Sequence, residues 1–309
     1  IRLRELLIQL PPCAVDYIHS KEVTSQVSTL VQYSYDLITF FTFMKDQNPV
    51  FRNKDPKEIS VDLISKISPE DILEYQRYLE LNVDRNHYHE NGKKAIARKM
   101  SPLRGMFKFL LVYKKIKENP MELVPLPRLK KDKNIIRMNA AEVQSMMNTA
   151  EYGAGTMSDR QRKFAEKTKF RDVAILTLIL NTGIRVSECN GLDLNDVDLN
   201  ANTLTIVRKG GAQDLLYFGD LVHDARSDYL ELERKGIQVR EGHEKAMFLS
   251  LQGKRISVDA IENLVKKYAK IAVPNKKITP HKLRSTYGTA LYREIGERRL
   301  GADVLGHAT

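Results

Sequence analysis

Five basic residues in the second half of the chain have side chains that suit chemistry on a phosphodiester. They are Arg185, Lys209, His281, Arg284 and His307. Arginine matches phosphate oxygens with paired hydrogen bonds, lysine can protonate a leaving oxygen, and histidine can hydrogen-bond the phosphate or move a proton. Each residue alone also has an ordinary structural interpretation, such as a helix ion pair, a solvated turn lysine or a surface histidine.

The predicted element around His281 and Arg284 favours anion binding. Thr279-Pro280 is typical of a helix start, so His281 and Arg284 fall in the first two turns and, three residues apart, on one face. The free N–H groups and the dipole at a helix N-terminus attract phosphate. A guanidinium and an imidazole there strengthen the prediction of a phosphate site.

The other candidates depend on a helix junction and a hairpin. Arg185 falls between two predicted helices, and Glu188, three residues later, can orient it through an ion pair. Lys209 lies beside a Gly-Gly turn that joins predicted strands at 203–207 and 214–218. The sequence therefore predicts that a mobile turn carries this lysine.

The joint order of these motifs resembles one known family. Three segments carry the likeness: 180–188 (LNTGIRVSE), 279–284 (TPHKLR) and 303–307 (DVLGH). Residues 139–309 resemble the tyrosine recombinases of the phage-integrase type. Residues 20–125 resemble, less specifically, the helical core-binding domain of that family.

This resemblance implies a mechanism. A tyrosine attacks a DNA phosphodiester, which gives a 3′-phosphotyrosyl link and a free 5′-hydroxyl. Arg185 and Arg284 would neutralise the phosphate oxygens, and Lys209 would protonate the leaving 5′-oxygen. His281 and His307 would hydrogen-bond the phosphate or shuttle a proton, and Glu188 would orient the site. Neither a metal nor a cofactor is expected, and the expected assembly is a tetramer on two sites in double-stranded DNA.

The position of the attacking tyrosine is a further expectation from the resemblance. Family members carry it about nine residues beyond the last histidine of the set, whereas the printed chain reaches Thr309. We therefore expect the nucleophile beyond residue 309. Tyr292, the last tyrosine in the printed sequence, has apolar neighbours and is expected to pack in the core.

The distribution of charge predicts a nucleic-acid partner. The 309 residues carry a net charge of +11, and residues 93–133 hold thirteen lysines and arginines against three acids. A basic stretch of this density indicates polyanion binding better than it fits a solvated helix face. The DNA-contact candidates are Lys93, Lys94, Arg98, Lys99, Arg104, Lys130, Lys131 and Lys133.

Periodicity predicts a mostly α fold with a small antiparallel β-sheet, as a two-domain DNA clamp. Residues 1–125 would form a helical core-binding domain, with a break or kink at Pro102, and 126–137 a basic linker. Residues 138–309 would form the integrase-type catalytic domain up to a point before the expected nucleophile. No apolar stretch approaches a membrane span, and two cysteines form no disulfide framework, which suggests the cytoplasm.

Other functions remain open at this level. The main alternative is a catalytically inactive, sequence-specific DNA-binding protein of the same fold. A topoisomerase-like enzyme with the same chemistry is a related outcome, and a basic helical RNA-binding protein is a weaker one because no aromatic-basic surface motif is present. The sequence leaves open whether the role is phage integration, transposition or chromosome resolution.

Overall fold

A computed structural model describes residues 1–295, apart from 53, 82, 85–86, 89–90, 126, 128–135, 154, 156 and 209–210. For residues 83–84, 87–88 and 294–295 it describes the backbone alone. The chain divides into two compact units, an N-terminal unit of Ile1–Asp132 and a C-terminal unit of Lys133–Thr309.

Helices build most of the N-terminal unit, together with a two-stranded antiparallel hairpin. The elements are α1 (Arg2–Leu7), α2 (Pro12–Ser20), α3 (Val27–Gln47), α4 (Val61–Ile64), α5 (Pro69–Glu80), β1 (Val83–Asp84), β2 (His87–Tyr88) and α6 (Lys93–Val112), with 3₁₀ turns at Pro56–Glu58 and Pro120–Glu122. Helix α5 begins with a capping box, since the Ser68 hydroxyl accepts from the Asp71 N–H and the Asp71 carboxylate accepts from the Ser68 N–H. Helix α6 continues through Pro102, so of the expected break or kink the break is wrong.

Close packing and one buried ion pair fix α6 in the N-terminal unit. Tyr17 of α2 is 2% exposed and lies against Gly105, where a Cβ atom would overlap the tyrosine hydroxyl. Asp36 of α3 is buried and accepts a hydrogen bond of 2.9 Å from Arg98 of α6. Burial raises the pKa of Asp36, and the charges of Arg98 and Lys99 oppose that shift. The basic helix is therefore anchored by its own cations.

The C-terminal unit combines six helices, within the residues described, with a three-stranded sheet. The elements are α7 (Ala140–Tyr152), α8 (Asp159–Thr182), α9 (Val186–Gly191), β3 (Val197–Asp198), β4 (Thr203–Val207), β5 (Gln213–Tyr217), α10 (Asp220–Asp228), α11 (Val258–Ala272) and α12 (Pro280–Ile295). A π-helical turn, Tyr229–Glu233, and a 3₁₀ turn, Arg234–Gly236, follow α10, and a 3₁₀ turn at Leu194–Asp196 precedes β3. Asn139 and Ser158 cap α7 and α8 through reciprocal side-chain and backbone hydrogen bonds.

The sheet is antiparallel, in the order β3-β4-β5. Leu204 pairs with Leu216 and Ile206 pairs with Asp214. Leu204, Ile206 and Leu216 are buried, whereas Val207 is exposed, as period-two alternation requires of a sheet with one covered face. The covered face joins the core around α8, so the hairpin is held against the helices.

Helix α8 is the central element of the C-terminal unit and packs against α7, α10 and α12. A buried polar cluster also ties it to α11. Asp172 accepts hydrogen bonds from Lys267 at 3.0 Å and from the Tyr268 hydroxyl at 2.9 Å, and the Arg171 guanidinium donates to its other oxygen. Because α8 is fixed on several sides, its C-terminal end is a rigid support for the residues that follow. No helix in the described part of the chain is long and apolar enough to cross a membrane.

Candidate active site

Arg185 is positioned by the turn between α8 and α9. Gly183 ends α8 in the left-handed conformation with φ of 63°, which residues with a Cβ atom rarely adopt. Two residues later, Arg185 has an extended backbone and precedes the first residue of α9. Its side chain is 33% exposed, so the guanidinium is within reach of a ligand from solvent.

Glu188 contacts both the backbone and the side chain of Arg185. One carboxylate oxygen accepts from the Arg185 backbone N–H at 2.7 Å, and the other accepts from the Arg185 guanidinium at 2.7 Å. The Glu188 side chain is only 3% exposed, so this ion pair is shielded on the glutamate side. The i, i+3 spacing seen in the sequence corresponds to a real contact.

A third charged residue, Arg208, shares Glu188. It follows β4 directly, and its Nη1 lies 3.4 Å from the Glu188 oxygen that the backbone N–H also uses. Its Nε and Nη2 donate to Asp214 of β5 at 3.0 and 2.8 Å. The hairpin is thus connected to the turn that presents Arg185.

Arg284 reaches the same turn from α12. The Thr279 carbonyl accepts from the N–H groups of Lys282 and Leu283, which confirms the predicted helix start. Arg284 lies in the second turn, is 3% exposed and donates through Nη1 to the carbonyl oxygen of Gly183. The tertiary fold therefore brings Arg284 to the end of α8, where the segment that carries Arg185 begins.

Electrostatics confirm that these guanidinium groups are neighbours. The pKa of Arg284 is lowered to about 10, mainly by burial and in smaller part by the positive charges of Arg185 and Arg208, while Glu188 opposes the shift. Arg284 remains protonated at neutral pH. Three guanidinium groups around one buried carboxylate form a site that favours an anion with several oxygens, such as a phosphodiester.

Sequence reasoning did not find Arg208, although the strand pattern contains a signal for it. Leu204 and Ile206 point to the covered face of the sheet. Because side chains alternate between the two faces, Arg208 is the next residue on the covered side. A cation on a covered face requires a buried partner. Glu188 is that partner, 20 residues away in the sequence.

The other candidates differ in what the structure shows of them. His281, in the first turn of α12, is exposed, whereas Arg284 on the same helix is buried. Tyr292 is 38% exposed, so the expectation that it packs in the core is wrong. Lys209 and His307 lie outside the described residues.

Comparisons with known proteins show the family of this chain. Residues 137–309 match the family model described as the phage integrase family. The chain is 32% identical to the tyrosine recombinase XerC of Caldanaerobacter subterraneus subsp. tengcongensis, over 97% of this chain and 81% of that relative. The chain belongs to the phage integrase family of tyrosine recombinases. The tyrosine recombinase XerS of Lactococcus lactis subsp. cremoris is 28% identical, over 99% of this chain and 93% of the relative.

Solved structures of tyrosine recombinases share the fold. The XerH site-specific recombinase bound to difH substrate before cleavage matches with a TM-score of 0.68 at 17% identity, over 100% of this chain and 91% of that one. The Tn1549 transposon integrase in complex with transposon right-end DNA also matches with a TM-score of 0.68, at 16% identity, over 98% and 92% of the two chains. The predicted mostly α fold with a small antiparallel sheet is confirmed.

The basic residues predicted to contact DNA differ in their surroundings within this phage-integrase family member. Lys93, Lys94 and Arg98 of α6 are exposed, although Arg98 also pairs with Asp36. Lys99 is 3.8 Å from the same carboxylate. Arg104 is half-buried and donates to the backbone carbonyls of Met121 and Val124 at 3.4 and 3.1 Å. The predicted contacts Lys130, Lys131 and Lys133 lie outside the described residues.

The two cysteines are unsuited to nucleophilic chemistry. Both are buried and free, and burial raises the pKa of Cys13 to about 11 and that of Cys189 to about 12. A thiol with so high a pKa carries almost no thiolate at neutral pH. Cys189 belongs to the hydrophobic core of the C-terminal unit. Among the described residues, no group of three or more His, Cys, Asp or Glu side chains is arranged to hold a metal ion.

Proposed function

We propose that this chain is a site-specific DNA recombinase that cuts and rejoins strands through a 3′-phosphotyrosyl intermediate. The observation that carries the proposal is the convergence of Arg185 and Arg284 at the end of α8, since Arg284 donates to Gly183 and Arg185 follows two residues later. Paired guanidinium groups stabilise the extra negative charge that a phosphodiester develops during in-line attack. Family membership supports the same reaction.

In the proposed reaction a tyrosine oxygen forms a bond to phosphorus as the bond from phosphorus to the 5′-oxygen breaks. The attacking residue is the tyrosine expected beyond residue 309, and its proton passes to His281 or His307. Lys209 gives a proton to the leaving 5′-oxygen. Arg185 and Arg284 hold the non-bridging oxygens, and Glu188 orients Arg185. The new ester conserves the bond energy, so the reverse attack by a 5′-hydroxyl rejoins DNA without a nucleotide cofactor.

Trapping on a nicked suicide substrate tests the enzymatic step with the natural full-length protein. The nick lets the short fragment that carries the free 5′-hydroxyl diffuse away. The covalent 3′ adduct therefore accumulates and is detected on a denaturing gel. Arg185→Ala and Arg284→Ala should lower the rate of adduct formation about 100-fold or more. The matched control is Arg240→Ala, because Arg240 is an exposed arginine of the same unit. Target binding with no adduct would favour the inactive DNA-binding alternative.

We further propose that residues 1–125 form the core-binding domain and contact double-stranded DNA through α6, with 126–137 as a basic linker to the catalytic domain at 138–309. The exposed cations Lys93 and Lys94 support this proposal. Phosphate contacts release counterions, so binding should weaken steeply as salt rises. Charge reversal at both lysines should lower affinity and flatten the salt dependence. Salt-independent binding would refute the contact.

The assembly and the compartment are also proposals. We propose a tetramer on two DNA sites, supported by the family resemblance, and mass measurement of the protein with one and with two sites tests it. A mass that corresponds to one or two subunits on both DNA samples would contradict the tetramer. We place the reaction in the cytoplasm, and the two free cysteines are compatible with a reducing compartment.

A further inference from the structure

Arg208 is held between two carboxylates of very different exposure. The Asp214 side chain is 42% exposed, the Arg208 side chain 11% and the Glu188 side chain 3%. Ile206 pairs directly with Asp214. Arg208 follows Ile206 by two residues, so it lies on the same face and is the diagonal neighbour of Asp214. The Nε and Nη2 atoms of Arg208 donate to Asp214, and Nη1 is thereby directed at Glu188.

Among the described residues, the charges around Glu188 nearly cancel, and Arg208 supplies the excess positive charge. Arg185, Arg208 and Arg284 contribute three positive charges, while Glu188 and Asp214 contribute two negative charges. The five groups together carry one net positive charge. Without Arg208 the balance is zero, and Glu188 has Arg185 as its remaining guanidinium partner among the contacts described. The site would then attract a phosphodiester less strongly.

We propose that Arg208 is a positioning residue that keeps Arg185 available to the phosphate by sharing Glu188 with it. This inference rests on the proposed recombinase function and adds a residue that the motif pattern does not contain. The contact with Glu188 is longer than those with Asp214, but it lies in a buried environment where charge interactions are screened less. Asp214 aims Arg208, and Arg208 limits the hold of Glu188 on Arg185.

A simpler interpretation makes Arg208 only a staple between the two strands of the hairpin. The two interpretations differ in how the loss of Arg208 depends on the charge of the substrate. A staple lowers the fraction of correctly folded sites, whatever the substrate. If Arg208 positions Arg185 to bind the negative charge of the phosphate, the rate loss on removal of Arg208 should be smaller on a methylphosphonate. In that substrate a methyl group replaces a non-bridging oxygen of the scissile phosphate, so the group carries no negative charge.

The test compares Arg208→Leu with wild type in the suicide-substrate assay, on a phosphodiester and on a methylphosphonate at the scissile position. We expect the rate of adduct formation on the phosphodiester to fall about 10- to 100-fold, the equivalent of one or two charge-assisted hydrogen bonds. On the methylphosphonate the loss should be several-fold smaller. An equal loss on both substrates would overturn the proposal and leave the staple. No loss on the phosphodiester would overturn it as well.

Arg255→Leu is the matched structural control. Arg255 pairs with Asp193 and donates to the carbonyls of Asn190 and Leu192 in the same unit. Its removal costs a half-buried ion pair without touching Glu188, so any loss should be the same on both substrates. If Arg208→Leu does not fold, Arg208→Lys replaces it. Lysine keeps the charge but cannot hold both carboxylates, so the same selective loss should appear at smaller size.

A binding measurement separates this inference from the proposed function. Inorganic phosphate should bind the wild type more tightly than Arg208→Leu in a ³¹P NMR titration, whether or not the protein forms an adduct. Wild-type protein without any adduct on a verified target would refute the enzymatic proposal alone. Equal phosphate affinity of the two proteins would refute the role of Arg208 alone.

Discussion

Replacement of Glu188 by glutamine should destabilise the C-terminal unit because it leaves buried donors with the wrong partner. The carboxylate accepts from the Arg185 N–H, the Arg185 guanidinium and the Arg208 guanidinium at 2.7, 2.7 and 3.4 Å. A glutamine carbonyl can keep one side of this arrangement, but its NH₂ group would face a guanidinium donor. The variant therefore loses at least one charge-assisted hydrogen bond and the neutralisation of two cations.

The magnitude follows from the exposure of the partners. Removal of one partner from a fully buried ion pair costs about 3–5 kcal/mol. The Arg185 side chain is 33% exposed and can recover some hydration, so we expect a decrease of about 2–3 kcal/mol in the free energy of unfolding. For a unit of this size, that decrease corresponds to a fall in Tm of about 4–12 °C.

Urea denaturation followed by circular dichroism measures this decrease, since the chain has 13 tyrosines and no tryptophan for fluorescence. The midpoint should fall while the slope with urea stays constant, because the surface exposed on unfolding is unchanged. Glu262→Gln is the control in the same unit. Glu262 pairs with Lys266 at 3.0 Å on the exposed face of α11, and that pair should contribute less than about 0.5 kcal/mol. Equal losses in the two variants would refute the argument about burial at Glu188.

Three further predictions concern other parts of the chain. Gly105→Ala should lower the free energy of unfolding by about 1–3 kcal/mol, since its methyl group overlaps Tyr17, and Tyr17→Phe should relieve part of that loss in a double-mutant cycle; purely additive effects would contradict the overlap. The Lys276 hydrogen bond lowers the pKa of Glu142, so Glu142→Gln should reduce stability at pH 7. The difference from wild type should shrink as pH falls below the ordinary glutamate pKa of about 4.3 and disappear below the lowered pKa of Glu142. A difference that persists in acid would exclude the ion pair as its cause. Lys93→Ala should reduce the slope of log affinity for DNA against log salt by about 1, and an unchanged slope would remove Lys93 from the interface.

Local signals in the sequence predicted many elements well. The bounds of β4 agree with the strand predicted at 203–207, and α12 begins at Pro280, as the Thr279-Pro280 signal indicates. Proline is not always a sign that a helix ends. Pro12 is the first residue of α2, a position where proline loses no helical hydrogen bond.

The break expected at Pro102 shows where local reasoning fails. Proline removes one hydrogen bond of the helix, but Pro102 is buried within α6 between core residues. Packing of Met100, Leu103 and Met106 against the rest of the N-terminal unit outweighs that local cost. Burial of this kind depends on partners from other elements, which propensity does not describe.

The sequence by itself determined the motif order, the Arg185–Glu188 spacing and the placement of His281 and Arg284 at a helix start. Those features depend on residues a few positions apart, where helix and strand periods fix the geometry. Only the tertiary structure decided that Arg284 donates to Gly183, 101 residues away, that Arg208 shares Glu188, and that Arg98 pairs with Asp36, 62 residues away. Periodicity tells which face of an element is covered, but the partner that covers it is chosen by the packing of the whole unit.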